Sequence, residues 1–222
     1  MADILVLAPH PDDESIGCGG TLLKRRAAGH DLHWVIVTEM TSPDYSAERI
    51  ARRETEIEAV RAHYPFASVT RLGHPTAHLD RVDIAELVQG IAQAIAEIQP
   101  AEMFVPFPGD AHSDHRAVHD AAVAASKWFR APSVKNVLAY ECLSETDIVR
   151  NLGAPAFVPN IYEDIGDFLE DKCAALALYG EEMGAAPFPR SEAVVRAKAL
   201  VRGAEAGFMA AEAFMLVKEL RS

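Results

Sequence analysis

The stretch Asp3–Gly20, DILVLAPHPDDESIGCGG, decides the fold. It opens on a nearly unbroken apolar run, Asp3–Ala8, the pattern of a strand buried on both faces. His10, Asp12, Asp13 and Glu14 then crowd three acids beside an imidazole, and Gly17, Gly19 and Gly20 follow where the chain turns toward a helical pattern. In an open α/β sheet, ligands gather at the carboxyl ends of strands, where loops aim side chains into a crevice. This loop lies at such an end.

The same unit recurs along the chain. His33–Thr38 (HWVIVT), Ser68–Leu72, Met103–Phe107 (MFVPF) and Val137–Tyr140 (VLAY) read as strands, alternating with helical patterns at Thr21–Ala28, Ala47–His63, Ile84–Ile98 and Ala117–Phe129. That alternation predicts an α/β fold: a Rossmann-like, mostly parallel sheet with helices on both faces. Pro106 marks the end of its strand or an exposed amide side. Beyond Phe157–Tyr162, a strand or extended segment, the pattern turns helical. A helix is expected over Asp164–Tyr179, a Gly/Pro-rich break over Gly184–Ser191, and a long helix over Glu192–Leu220 that Gly203 and Gly207 interrupt or let pack closely. Residues 1–222 are therefore expected to form one domain with a helical C-terminal elaboration.

Composition narrows the function. A 222-residue chain that is 50% hydrophobic needs no disulfide or metal to complete its core. Lys and Arg total 21 against 33 Asp and Glu, a formal charge of -12, which disfavours nucleic acid or an anionic membrane as partner. No stretch approaches the roughly 20 apolar residues that span a bilayer, and the N-terminus lacks the features of a secretion signal. Cys18, Cys142 and Cys173 are odd in number and far apart, which points to a reducing, cytoplasmic setting. Apolar residues in the tail leave self-association open. All nine histidines fall at or before His119, so histidine chemistry belongs to the first half.

Like charges packed in one loop carry an electrostatic cost that a divalent cation would offset. His10 with Asp12 or Asp13 supplies suitable ligands. The competing reading is an acidic loop capping a helix N-terminus. The glycines mimic part of a dinucleotide fingerprint, but G-x-G-x-x-G is absent and the acids would repel a pyrophosphate. A second cluster follows the fourth strand, PFPGDAHSDHRAVHD (Pro106–Asp120). With a helix starting near Ser113, His115 and His119 share a face and either reaches a metal, while His112 points into the same crevice. Asp114 is placed to cap the helix or to hold a histidine tautomer. The plainer reading makes these histidines surface residues and Asp110 and Asp114 capping groups. Two such loops at neighbouring strand ends favour a metal centre. Three protein ligands with one open position are the usual catalytic zinc arrangement. Such an ion lowers the pKa of a water, and a nearby carboxylate takes the proton as the water attacks a carbonyl. Hydrolysis follows.

The paired motifs, Pro9–Glu14 (PHPDDE) and His112–His115 (HSDH), resemble those of the zinc-dependent N-deacetylases of the LmbE-like or PIG-L-like family. The similarity covers most of the chain, including Ala211–Phe214 (AEAF). It implies removal of the acetyl group from an N-acetylated amino sugar or sugar conjugate, giving acetate and a free amine. It also implies Zn2+, or another divalent metal, on His10, Asp13 and His115. Asp12 becomes the general base, His112 the stabiliser of the oxyanion, most usefully when protonated, and Asp114 the group that orients a histidine. His119 is left to packing. Arg53, Glu14 and Tyr162 are the candidate substrate contacts. Against them stand an ion pair of Arg53 with Glu54 or Glu56, helix capping by Glu14 and packing by Tyr162. His74 and His78 on a rim loop, Gly73–Asp80, and a tail loop around Asn160–Asp164 are further candidates. A metal-dependent amidohydrolase acting on a non-sugar N-acyl compound is the alternative, as is a non-catalytic sugar-binding module. The intact Asp12, Asp13, His112 and His115 speak against the module.

Overall fold

A computed structural model describes residues 2–148 and 155–221. Strands β1 (Asp3–Ala8), β2 (Asp31–Glu39), β3 (Ser68–Pro75), β4 (Glu102–Pro106) and β5 (Asn136–Tyr140) alternate with helices α1 (Asp13–Ala27), α2 (Ala47–His63), α3 (Ile84–Ile98) and α4 (Ser113–Ala125). Strand β6 (Ile161–Asp164), helices α5 (Leu169–Ala177) and α6 (Glu192–Ala206), and strand β7 (Ala211–Glu219) complete the described elements. The sheet runs β3-β2-β1-β4-β5-β7-β6. Its first five strands are parallel, and β7 pairs antiparallel with both β5 and β6.

The apolar run in β1 has a direct explanation. Leu5 and Leu7 face one layer, with Val35, Val37, Met103 and Val105 of neighbouring strands and Leu87, Ile91, Val118 and Ala122 of α3 and α4. Ile4, Val6 and Ala8 face the other, with Trp34, Ile36 and Phe104, Leu22 of α1, and Ile57 and Val60 of α2. Every residue of this strand after Asp3 is buried, so no polar alternation survives. Burial of each large aliphatic side chain contributes about 1.5–3 kcal/mol, which makes this double layer the main driving force for the fold.

One helix start differs from expectation. Helix α1 begins at Asp13 rather than Thr21 and takes the glycines into its body. A Cβ on Gly17 would lie 2.2 Å from Cδ2 of Tyr140, so only glycine lets the helix settle on β5. The helix breaks at Cys18 (φ -142°, ψ 20°) and restarts. Glu212 of β7 caps the restart, accepting from the Gly20 amide at 2.9 Å and the Thr21 amide at 2.7 Å. Lys172 of α5 closes this buried cluster, donating to Glu212 Oε1 at 2.6 Å and the Ile16 carbonyl at 2.8 Å. Helix α4 starts at Ser113, ahead of the apolar pattern over Ala117–Phe129 and where the reading of HSDH places it.

The larger difference lies at the C-terminus. Helix α6 stops at Ala206, Gly207 adopts the left-handed conformation (φ 80°), and its amide donates to the Gly203 carbonyl. The chain returns so closely that a Cβ on Gly203 would sit 2.6 Å from the Phe208 carbonyl oxygen. Residues 211–219 then enter the sheet as β7 rather than continuing the helix expected over Glu192–Leu220. Ala211, Glu212, Ala213, Met215 and Leu216 suit a helix locally, but pairing between two strands outweighs that propensity. Among the described residues, no helix is long and apolar enough to cross a membrane.

Candidate metal centre and catalytic cavity

Strands β1 and β4 are parallel neighbours whose connections leave in opposite directions along the sheet, toward β2 and toward β5. This is a switch point, where the loops beyond the strand ends part and leave a crevice. PHPDDE follows β1, and GDAHSDH follows β4.

The first loop is held down before any ligand is considered. Thr38 of β2 donates to the Pro9 carbonyl through its amide at 3.0 Å and its hydroxyl at 2.8 Å. Asp12 occupies the N-cap position of α1 with φ 137° and ψ -28°, a strained backbone for a residue with a side chain. Such a conformation costs about 1–3 kcal/mol and persists only when its surroundings over-determine it. Glu14 is one of those constraints, accepting the Asp12 amide on Oε2 at 3.1 Å. The Asp12 side chain makes no capping bond, so the capping explanation fails for it.

Three donor atoms converge at the crevice. Asp13 Oδ2 lies 3.3 Å from His10 Nδ1 and 3.3 Å from His115 Nε2. The ligand atoms of His10, Asp13 and His115 all fall within 4.8 Å of one another. Each histidine spends its other nitrogen on a carboxylate: His10 Nε2 on Asp114 Oδ2 at 3.0 Å, His115 Nδ1 on Asp110 Oδ2 at 2.8 Å. Thr146 in turn donates to Asp110 Oδ1 at 2.6 Å. Carboxylate-held imidazoles turned toward a shared carboxylate are the supporting arrangement of a metal site. His10, His112 and Asp114 form a second grouping within the same span. It is the poorer one. Asp114 accepts two amides, of Ala77 and Leu79 at 2.8 and 3.1 Å, besides His10, against the single His10 amide on Asp13 Oδ2 at 2.9 Å, and His112 Nδ1 accepts the Asp114 amide.

Electrostatics favour the first grouping too. Burial opposes a charged His10, yet hydrogen bonds with Asp114 and Asp13 push it up to about 9. Burial likewise opposes a charged His115, and the Asp13 and Asp110 carboxylates push it up to about 10. Asp13 is buried, which resists its charge, but the two histidines hold it well below the usual carboxylate range. The cluster demands positive charge at its centre, and a divalent cation supplies it in place of two protons. The residues present fit the ion.

Asp12 stands beside this set rather than in it. Burial first, and then the Asp13 carboxylate, push it up to about 8 against the pull of Arg190 and Arg53. Burial and nearby His10 hold His112 down at about 4, so it is neutral. Because its Nδ1 accepts a backbone amide, the proton of the neutral ring sits on Nε2. Both residues line a cavity of about 190 Å³, walled on its apolar side by Ile36, Met40, Ile50 and Ile57 and rimmed by Tyr45, Arg49 and Arg71. That is below the roughly 300–1,000 Å³ of drug-sized pockets, and it suits a small ligand or the reacting end of a larger one.

Arg53 lines the cavity from a buried position, donating to the Pro11 carbonyl at 2.8 Å and to Glu182. Its ion pair with Glu56, at 3.4 Å, is one of several contacts. Two substrate-contact expectations are corrected. Glu14 is fully buried and faces inward, taking the Ser15 hydroxyl at 2.6 Å and the Tyr179 hydroxyl at 2.8 Å. Tyr162 sits on edge strand β6 near Glu205 and is not part of the cavity wall. His119 bonds the Pro106 carbonyl at 2.9 Å and belongs to neither ligand grouping among the described residues. His74 and His78 flank Thr76 and Ala77, which do line the cavity. The Asn160–Asp164 segment belongs to the sheet edge, and the loop between α5 and α6 closes the cavity instead. That loop brings Glu182 and Arg190, with Arg190 Nη1 2.7 Å from Asp12 Oδ2. Neither is legible in sequence: Arg190 lies in GAAPFPRS, which reads only as a connector, and Glu182 lies just ahead of it. The part played by Asp110 was missed for a similar reason, since an acid ahead of a helix reads first as a cap.

The chain is 26% identical over 236 residues to a diacetylchitobiose deacetylase of Thermococcus kodakarensis, covering 96% of this chain and 82% of the relative. A crystal structure of a conserved protein from Thermus thermophilus superposes with TM-score 0.79 at 27% identity, covering 100% of this chain and 97% of the other. A 4-carboxy-2-hydroxymuconate hydratase from Pseudomonas putida shares the fold at TM-score 0.75 and 18% identity, covering 100% and 98%. The fold alone therefore does not set the reaction. The PIG-L family, described as GlcNAc-PI de-N-acetylase, matches residues 5–126, a span that takes in both ligand-bearing loops, and the chain belongs to that family.

Proposed function

We propose that this protein is a zinc-dependent hydrolase that removes the acetyl group from an N-acetylated amino sugar or sugar conjugate, releasing acetate and a free amine. The observation that carries this reading is the convergence of His10 and His115 on Asp13 Oδ2, with Asp12 outside that set beside them at the cavity wall. Family membership and the diacetylchitobiose deacetylase relative support the acetamido sugar as substrate class.

His10, Asp13 and His115 would hold the metal, which when bound would supply Lewis-acid activation of a water and of the acyl oxygen. Asp12 Oδ1, the oxygen not bound to Arg190, takes the proton of the attacking water and returns it to the departing amine. A carboxylate outside the ligand set is the better base; burial and the Asp13 carboxylate push Asp12 up, while Arg190 and Arg53 pull it back toward the charged form. His112 donates its Nε2 proton as a hydrogen bond to the oxyanion, and the neutral ring suffices, in place of the protonated one expected from sequence. Asp114 and Asp110 fix the ring orientations of His10 and His115. Residues 1–222 act as one domain in this scheme.

Metal content and acetate release test the proposal. Protein loaded with Zn2+ is offered N-acetylglucosamine, N,N′-diacetylchitobiose and simple N-acyl amines. Acetate from an acetamido sugar supports it; acetate from the simple amines alone overturns the sugar assignment. Turnover undiminished after chelation overturns the metal mechanism.

A further inference from the structure

The loop between α5 and α6 reaches back across the cavity and touches the Asp12 carboxylate at one point. Arg190 Nη1 donates to Asp12 Oδ2 at 2.7 Å and to Glu182 Oε2 at 3.2 Å, while its Nε donates to Ser144 Oγ at 2.9 Å. Glu182 offers its other oxygen to Arg53, whose Nη1 holds the Pro11 carbonyl at 2.8 Å. The chain of contacts thus closes on itself. It leaves Asp12 through its side chain, passes Arg190, Glu182 and Arg53, and returns to the peptide beside Asp12.

Among the described residues, no other side chain hydrogen-bonds the Asp12 carboxylate. The backbone there is strained, so local conformation does not choose the side-chain direction unaided. Arg190 is itself held from two sides, with only 17% of its side chain exposed. A guanidinium anchored by Ser144 and Glu182 is a rigid fork, which a mobile lysine would not reproduce.

We propose that Arg190 is a positioning residue for the reaction: anchored by Glu182 and Ser144, it holds Asp12 Oδ2 and so turns Asp12 Oδ1 toward the reacting centre. This rests on Asp12 as the proton-transfer group. Glu182 serves both arginines and couples the C-terminal loop to PHPDDE.

The test is steady-state kinetics of Arg190→Met and Arg190→Lys on the acetamido sugar, with metal content and Tm measured on the same samples. Displacing a reacting group by about 1 Å costs on the order of 100-fold. Arg190→Met is expected to lose about that in kcat, with KM and bound metal close to wild type and Tm lowered by the loss of its pairs with Asp12 and Glu182. Arg190→Lys is expected to recover little, and guanidinium ion to restore part of the turnover of Arg190→Ala. Glu182→Gln, which leaves the fork in place, is expected to lose less than Arg190→Met. A crystal structure of Arg190→Met supplies a readout free of turnover: Asp12 is expected in a new or divided rotamer. An unmoved Asp12, unchanged kcat, or a loss confined to KM overturns the inference. Asp12→Asn separates the two levels. If it is inactive while Arg190→Met is fully active, only the positioning role falls; if it is active, the base assignment falls.

Discussion

Asp110→Asn and Asp110→Ala probe the least obvious member of the proposed metal centre. Asp110 Oδ2 lies 2.8 Å from His115 Nδ1, and the two side chains are 0% and 1% exposed, so water cannot replace a lost partner. Loss of such a supporting carboxylate costs about 10–100-fold in metal affinity, or roughly 1.4–2.8 kcal/mol. The two variants divide that range. Asparagine keeps the volume, an acceptor for Nδ1–H and contact with Thr146, but not the charge, and is expected near the 10-fold end. Alanine removes acceptor and charge together and is expected near the 100-fold end. Competition for Zn2+ against a chromogenic chelator reads both, with circular dichroism confirming the fold. If affinity stays within about 2-fold of wild type in the alanine variant, Asp110 is only a structural acid and the role drawn for it is wrong.

Metal removal carries its own pH signature. His10 and His115 in the metal-free protein sit at about 9 and about 10, above the ordinary histidine value of 6.5. Groups raised on folding stabilise fully below the unfolded value and lose that contribution as pH rises through the folded one. The Tm of chelated protein is therefore expected to fall between about pH 6.5 and pH 10 more steeply than that of loaded protein; parallel curves would contradict the electrostatic description. Metal binding near pH 8 should release protons, seen by calorimetry in buffers of different ionisation enthalpy, and buffer-independent heats would count against it. Glu212→Ala strips the cap from the α1 restart and leaves Lys172 buried and unpaired, at about 3–5 kcal/mol. Urea unfolding checks this, and a loss under about 1 kcal/mol would refute that role for Glu212.

The parts of the molecule legible in sequence are those where local pattern and tertiary need coincide. Strand β1 shows its double burial as an unbroken apolar run, and α2 and α3 span the ranges their periodicity gives, with Ser46 and Asp83 capping them in the fold. The start of α1 was hidden because Gly17 argues against a helix, whereas Tyr140 packed against it requires that glycine. Strand β7 was hidden because its residues suit a helix and its partners β5 and β6 are distant in sequence. The candidate site divides the same way. PHPDDE and HSDH keep their chemistry within a few residues and can be read directly. Arg190 lies 178 positions from Asp12 in a segment without periodicity, and only the folded chain brings the two together.

Asp12→Asn, with metal content and acetate release measured on one preparation, tests the mechanism most directly. Asn keeps the shape of a residue outside the ligand set, so the variant should bind Zn2+ as wild type does. Removal of the proton acceptor should lower acetate release by about 100- to 10,000-fold. Full turnover with metal bound would contradict the division of labour between Asp12 and Asp13 on which the mechanism rests.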